Sequence, residues 1–367
     1  MRITRSRVSI LAALLVGAGI GVCAVLQKVD LMGPATAAVP ASQDLAASEA
    51  ALARGGLTPA EQLSLMQSVA NGFLQRNDYP SAITWAQRYV KAGGTEADVR
   101  PLLAQAYYQM GDYANAAREL QWEIQAADRA NRPPGEDRLL LLQSCYARLN
   151  DANAYAWGLE KLVTYYPKRE YWADLLDRTQ KRPDFGERLA LDVNRLRLLT
   201  GTLGGAAEYL AMAAQAQQAG FPAEAKRVVD QGFAKGVLGA ASESQRHRQL
   251  QRQLAEEALA QQRRIDPQEL ELAAEQAKDG IELFNLGFAH ATMGSFTRGL
   301  PLMEQGIRKG GLANRPQDAK LRLGIAYLMA GQKAKAIETF NTVGGRHGAA
   351  DLGRIWAIYA RNASRAE

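Results

Sequence analysis

Apolar and small residues recur along most of the chain at helical spacing, in paired segments joined by short polar corners. Between Leu102 and Leu120, Leu103 and Ala104 are followed by Tyr107, then by the corner Gly111-Asp112, then by Ala116. The small residues let two antiparallel helices approach closely, and the aromatic fills the crevice between them. Gly111 suits the left-handed conformation that ends a helix, and Asp112 can cap the next one. This order predicts a helix, a tight turn and a second helix.

The order returns with Leu323, Gly324, Tyr327, Gly331, Ala336 and Phe340, and with Leu286, Gly287, Gly294, Phe296 and Met303. Two related units precede them, one with Val69, Ala70, Phe73, Asn77, Asp78 and Ala82, the other with Leu142, Tyr146, Asn150, Asp151 and Leu159. These residues resemble the tetratricopeptide repeat, a helix–turn–helix unit of about 34 residues. The resemblance covers residues 60–345 and implies an all-α fold, a TPR-like α-solenoid of antiparallel helix pairs. It thins in the middle third. There, residues 170–200 read as two helices broken around Pro183, and Ala206 to Lys235 as a helical pair around Gly220. Ser242 to Arg264 reads as a long polar helix, with Asp266 and Glu269 placed to cap the next. Leu352, Ile355, Trp356 and Tyr359 at helical spacing predict a final capping helix.

The N-terminus changes the picture of where this array works. Arg2, Arg5 and Arg7 precede an uncharged run from Val8 to Leu26, and Ala35, Thr36 and Ala37 come after it. That is a signal peptide with a small-residue cleavage site, or an uncleaved membrane anchor of nearly spanning length. Either one exports the remainder, because the arginines hold the short end in the cytoplasm. The layout then resembles exported TPR proteins of Gram-negative envelopes, which implies the periplasm or cell envelope. The expected organisation is a signal or anchor over 1–37, a linker over 38–57 and N-terminal repeats over 58–240. Polar connecting helices over 241–279 and C-terminal repeats over 280–367 complete it. Within the folded part, Thr58, Pro59 and Glu61 mark a helix start.

Charge and composition narrow the function. Residues 1–37 hold four cations and one carboxylate, half of the chain's net charge of +6. The remainder is too weakly basic for a nucleic-acid protein. Arg246, Arg248, Arg252, Arg263 and Arg264 alternate with Glu243, Glu256, Glu257 and Asp266, which reads as a solvated face. Cys145, within an apolar run, reads as a buried small hydrophobe. His290 stands where its repeat has an aromatic and reads as a core histidine, whereas His247 reads as solvated. No phosphate loop, zinc-hydrolase or nucleophile-elbow motif is present. The chain is therefore expected to be no enzyme and to need neither cofactor nor metal.

What remains is an interaction surface. In stacked helix pairs the first helices line the hollow. In the N-terminal block that face carries Gln67, Asn71, Gln105, Tyr108, Gln109, Ser144 and Arg148, groups suited to an extended peptide backbone. In the C-terminal block it reads Ile281, Phe284, Phe288, Leu321, Ile325 and Leu328. That is either covered by residues 241–279 or open to a partner's amphipathic helix. The expected partner is a protein or peptide of an envelope assembly or secretion system. Self-association through the C-terminal apolar face and an accessory role beside an envelope enzyme or polysaccharide-export complex are the alternatives. Membrane contact is expected only through residues 8–26.

Overall fold

The computed structural model describes residues 44–312 and 315–365. The candidate signal or anchor, residues 1–37, lies outside them. The described residues form α-helices and short 3-10 turns without a strand, in two compact units divided at Asp151 and Ala152.

In the first unit, α1 (Asp44–Arg54) leads to α2 (Pro59–Gln75), α3 (Tyr79–Lys91), α4 (Glu96–Gln109), α5 (Tyr113–Arg129) and α6 (Glu136–Arg148). Thr58 and Glu61 form a reciprocal capping box at the start of α2. Asn77, Gly111 and Asn150 all have positive φ, so each ends its helix in the conformation expected of the corners. Asp78 and Asp112 then accept from the backbone N–H of Ser81 and Asn115, capping α3 and α5. Each helix packs on the next, and α2 also meets α4. Ala82 and Ala116 are wholly buried at these contacts. Of the stretch 38–57, read as a linker or a frayed first helix, Asp44–Arg54 forms a helix. Leu45 and Leu52 place α1 against the core built on Val69, Ala82, Trp85 and Ala86, a stripe of spacing seven that the surrounding Ala and Ser obscured.

The second unit opens with α7 (Ala152–Tyr165) and α8 (Arg169–Gln180), and a 3-10 turn at Glu187–Leu189 leads into α9 (Ala190–Leu199). The pair α10 (Ala206–Gln218) and α11 (Pro222–Ala234) comes next, then α12 (Ser244–Ile265) and α13 (Gln268–Gln276). The last helices are α14 (Ile281–Thr292), α15 (Phe296–Lys309), α16 (Pro316–Met329), α17 (Lys333–Asn341) and α18 (Ala349–Arg365). Helices α14 and α15 touch backbone to backbone. A Cβ added at Gly287 would lie 2.6 Å from the Gly299 carbonyl, and one at Gly299 would lie 2.6 Å from the Gly287 carbonyl. Between α16 and α17, the Phe340 ring occupies the space a Gly324 side chain would need, and Ala336 is wholly buried.

Residues 241–279 lie within the second unit. The polar helix α12 packs along α11, with Leu250 and Leu254 completing the core around Tyr209, Met212 and Val228. Two leucines four apart are a narrow stripe, enough for one neighbour. His247 is buried rather than solvated, accepting from the Gly239 N–H at Nδ1 over 3.1 Å beside the Phe233 ring. Pro267 rather than Asp266 is the N-cap of α13; Asp266 is the C-cap of α12, and Arg298 takes its carboxylate at 2.9 Å.

The final helix covers α16 and α17 and also returns to α7. Arg354 pairs with Glu160 at 2.9 Å, Asn362 donates to the Val163 carbonyl at 2.6 Å, and Tyr359 meets Trp172 edge to face. Beside this seam Arg182 reaches Asp351 and the Gly186 N–H reaches the His347 carbonyl. The second unit thus closes its last helix onto its first. No helix among the described residues is long and apolar enough to cross a membrane.

Candidate interaction surfaces

In the first unit the expected face is assembled on α2, α4 and α6, but several of its polar groups are already engaged. The Gln67 amide donates to the Asp98 carbonyl at 3.4 Å, and Asn71 donates to Gln67 one turn back. The Tyr108 hydroxyl lies 2.7 Å from the Ser144 hydroxyl and its ring meets Tyr113 edge to face. Gln109 and Arg148 are exposed, and the Arg148 guanidinium lies over the Tyr113 ring. Gln67, Asn71 and Tyr108 therefore spend their polar groups within the unit, which leaves Gln105, Gln109 and Arg148 as the open part of this face.

The C-terminal apolar face is corrected by the structure. Phe284, Phe288, Leu321 and Ile325 are all buried. Phe221 of the α10–α11 corner meets Phe288 edge to face at 5.1 Å, and the Arg195 guanidinium lies 5.1 Å from the same ring. Ile281 and Leu328 are half-buried. Over Phe288 the cover comes from Arg195 of α9 and Phe221 of the α10–α11 corner. Neither Phe284 nor Phe288 is available to a partner or a second copy.

One residue further round each helix lies an open hollow. A cavity of about 690 Å³ is lined by Glu282, Asn285, Leu286 and Ala289 of α14 and by Arg322 of α16. Gln215 and Gln218 of α10 and Gln261 and Arg264 of α12 also border it. At about 100° per residue, the step from Phe284 to Asn285, or from Leu321 to Arg322, turns from core to hollow. The alternation of Glu282 and Asn285 within an apolar helix was the sequence signal for this face.

The wall of the cavity is held by a buried ion network whose pairings are not readable along the chain. Arg195 donates to both carboxylate oxygens of Glu224, at 2.7 and 2.6 Å, and to Asp192 at 2.5 Å. Burial would lower the Arg195 pKa, but Glu224 and Asp192 outweigh it and hold the guanidinium charged. Arg322 reaches the other oxygen of Asp192 at 3.3 Å and the Arg188 carbonyl. Arg188 in turn grips Asp318 at 2.6 and 3.1 Å. Arg188, Arg195 and Arg322 all border the cavity with their charges matched from behind.

The amides are less completely used. Gln215 accepts from Asn194, while Gln261 donates to the Gly220 carbonyl at 2.6 Å and its Oε1 is buried without a partner. Gln218, Arg264, Glu282 and Asn285 are exposed at the rim. A lining of amides, guanidiniums and a few apolar groups can read a polypeptide backbone and one or two side chains. His290 is buried with Nε2 unpartnered, its pKa lowered chiefly by burial. Cys145 lies in the core of the first unit, where burial pushes its thiol up to about 12. Among the described residues no group of three His, Cys, Asp or Glu could hold a metal ion.

Residues 318–348 match the family model of the tetratricopeptide repeat. They span α16 from Asp318, the Gly331 corner and α17, the stretch with the fullest copy of the sequence pattern. No curated protein matches the chain. Among solved structures, the TPR2AB domain of yeast Sti1, described as a complex with pHSP90, aligns over 84% of this chain and 95% of that one. The identity is 14% and the TM-score 0.26, and at that score the likeness carries no inference. The second unit therefore contains a tetratricopeptide repeat within an all-helical array of antiparallel pairs.

Proposed function

We propose that this protein is a non-catalytic scaffold that holds an extended segment of a partner polypeptide in the first-helix cavity of its second unit. The observation that carries this reading is the lining of that cavity. Gln218, Asn285 and Arg264 stand exposed at its rim, groups that pair with peptide N–H and carbonyl groups. Helical-repeat folds bind partners on the hollow formed by their first helices. The open Gln105, Gln109 and Arg148 offer the first unit a polar contact of the same kind.

The basic and then apolar segment over residues 1–37 supports a place in the cell envelope, with an envelope assembly or secretion system supplying the partner. A reporter enzyme active only after export, fused behind residue 57, is expected to be active, and an inactive reporter would remove the envelope from this proposal. For the cavity, Asn285→Trp fills the hollow from an exposed position. It is expected to abolish partner capture from envelope extract while melting as the native chain does. Undiminished capture by this variant would refute the assignment.

A further inference from the structure

A second cavity, on the other side of the Arg195 network, fits a different kind of molecule. It measures about 340 Å³ and is bordered by Leu198, Met212, Val228, Ile325, Leu328 and Trp356, with Leu199 and Met329 exposed at its edge. This is within the size range of small-ligand sites, and its walls are mainly aliphatic, with the Trp356 indole on one side.

Two polar groups stand in this apolar lining, one without a hydrogen-bond acceptor and one without a carboxylate. Trp356 is fully buried, stacked on Phe340 at 5.7 Å, and its indole N–H has no acceptor. Arg227 is half-buried, and its guanidinium donates to the Thr292 carbonyl but pairs with no carboxylate among the described residues. Burial holds Arg227 below the usual arginine range, with Glu224 opposing and Arg195 adding to that shift. Of the neighbouring groups, Arg195 and Glu224 bind each other, and the Lys333 ammonium donates to the Ala363 carbonyl. A half-buried guanidinium without a carboxylate, set against an aliphatic cavity, is stabilised when an anion completes it.

We infer that this cavity binds an unbranched aliphatic carboxylate, a medium-chain fatty acid, with the alkyl chain among Leu198, Val228, Ile325 and Leu328 and the carboxylate neutralising Arg227. One half-buried guanidinium without a carboxylate matches a single negative charge, which favours a carboxylate over a doubly charged phosphate. The inference stands apart from partner binding, since the two cavities share only the Arg195 wall.

Titration calorimetry of the purified chain with octanoate, decanoate, dodecanoate and dodecanol tests it directly. Affinity is expected to rise about fourfold per methylene, the equivalent of ~0.8 kcal/mol for a buried CH₂, and to stop rising once the chain outgrows the cavity. Dodecanol is expected to bind at least tenfold more weakly than dodecanoate, and Arg227→Gln to erase that difference. Met329→Trp, at the exposed edge, is expected to weaken every chain length without unfolding the protein. A brominated undecanoate is expected to quench tryptophan fluorescence in the native chain and much less in Trp356→Phe. Absence of binding, equal affinity for acid and alcohol, a rise with chain length that never levels off, or unchanged quenching in Trp356→Phe would each overturn the inference.

Discussion

Replacing Gly299 by alanine sets two effects of opposite sign against each other. Alanine is the better helix former by about 1 kcal/mol in a helix interior, so the change stabilises α15 if nothing stands in the way. The structure places two backbone atoms there. The new methyl would lie 2.6 Å from the Gly287 carbonyl and 2.8 Å from the Ala291 nitrogen, where ordinary contact begins at 3.4 Å. Neither atom belongs to a flexible side chain, so relief requires α14 and α15 to move apart along a buried contact. With two backbone atoms in the way at once, such overpacking costs about 2–3 kcal/mol, the upper part of its usual range, and the net is a loss of about 1–2 kcal/mol. Chemical denaturation followed by far-UV circular dichroism reads it as a lower midpoint at unchanged slope, and heating as a fall of about 2–8 °C. Gly287→Ala is expected to do the same, and the double variant to cost less than both singles together because one separation relieves both clashes. A midpoint raised by the helix-propensity amount would refute the backbone contact.

Other substitutions probe other levels of the fold. Ala116→Trp and Ala336→Trp overfill wholly buried helix contacts and are each expected to cost about 1–3 kcal/mol, read as lowered melting; unchanged melting in both would contradict the assigned pairs. Asp318→Asn leaves Arg188 without its carboxylate at the cavity wall and is expected to cost about 1–3 kcal/mol, with Arg188→Met added to it costing less than the sum of the two. Asp98 accepts from the hydroxyls of Thr95 and Tyr89, which hold its pKa below the usual carboxylate value. A lowered carboxylate pKa stabilises the fold above the unfolded value of about 3.9 and loses that contribution as pH falls through the folded value. Tyr89→Phe is expected to raise the Asp98 pKa, measured by carboxylate NMR titration, and an unmoved titration would contradict the shared hydrogen bonds.

The reach of each signal along the chain decided which features were legible in the sequence. Local corners were legible because one residue type suffices: Gly111, Asn77 and Asn150 adopt positive φ, and Asp78 and Asp112 cap α3 and α5. The small contact residues Ala82, Ala116 and Ala336 were legible for a similar reason, since only a small side chain lets two helices come so close at those points. The candidate site was less so. The choice between Phe284 and Asn285, or between Leu321 and Arg322, depends on what covers each helix. That cover, Phe221 and Arg195, is remote in sequence. The same distance hid the Arg188–Asp318 and Arg322–Asp192 pairs, each joining residues 130 positions apart. It also hid the return of α18 to α7. His247 was misread because its charged neighbours are exposed, whereas its partner, the Gly239 N–H, lies beyond the start of its helix.

The central claim, that a partner polypeptide lies in the first-helix cavity of the second unit, is tested most directly by site-specific photo-crosslinking. A photoreactive amino acid at position 285, at the rim of the cavity, is compared with the same probe at position 308, an exposed site on the second helix α15. The expected result is a covalent adduct to one extended partner segment from position 285 and none from position 308. Crosslinking to that partner from position 308 with none from position 285 would contradict the account.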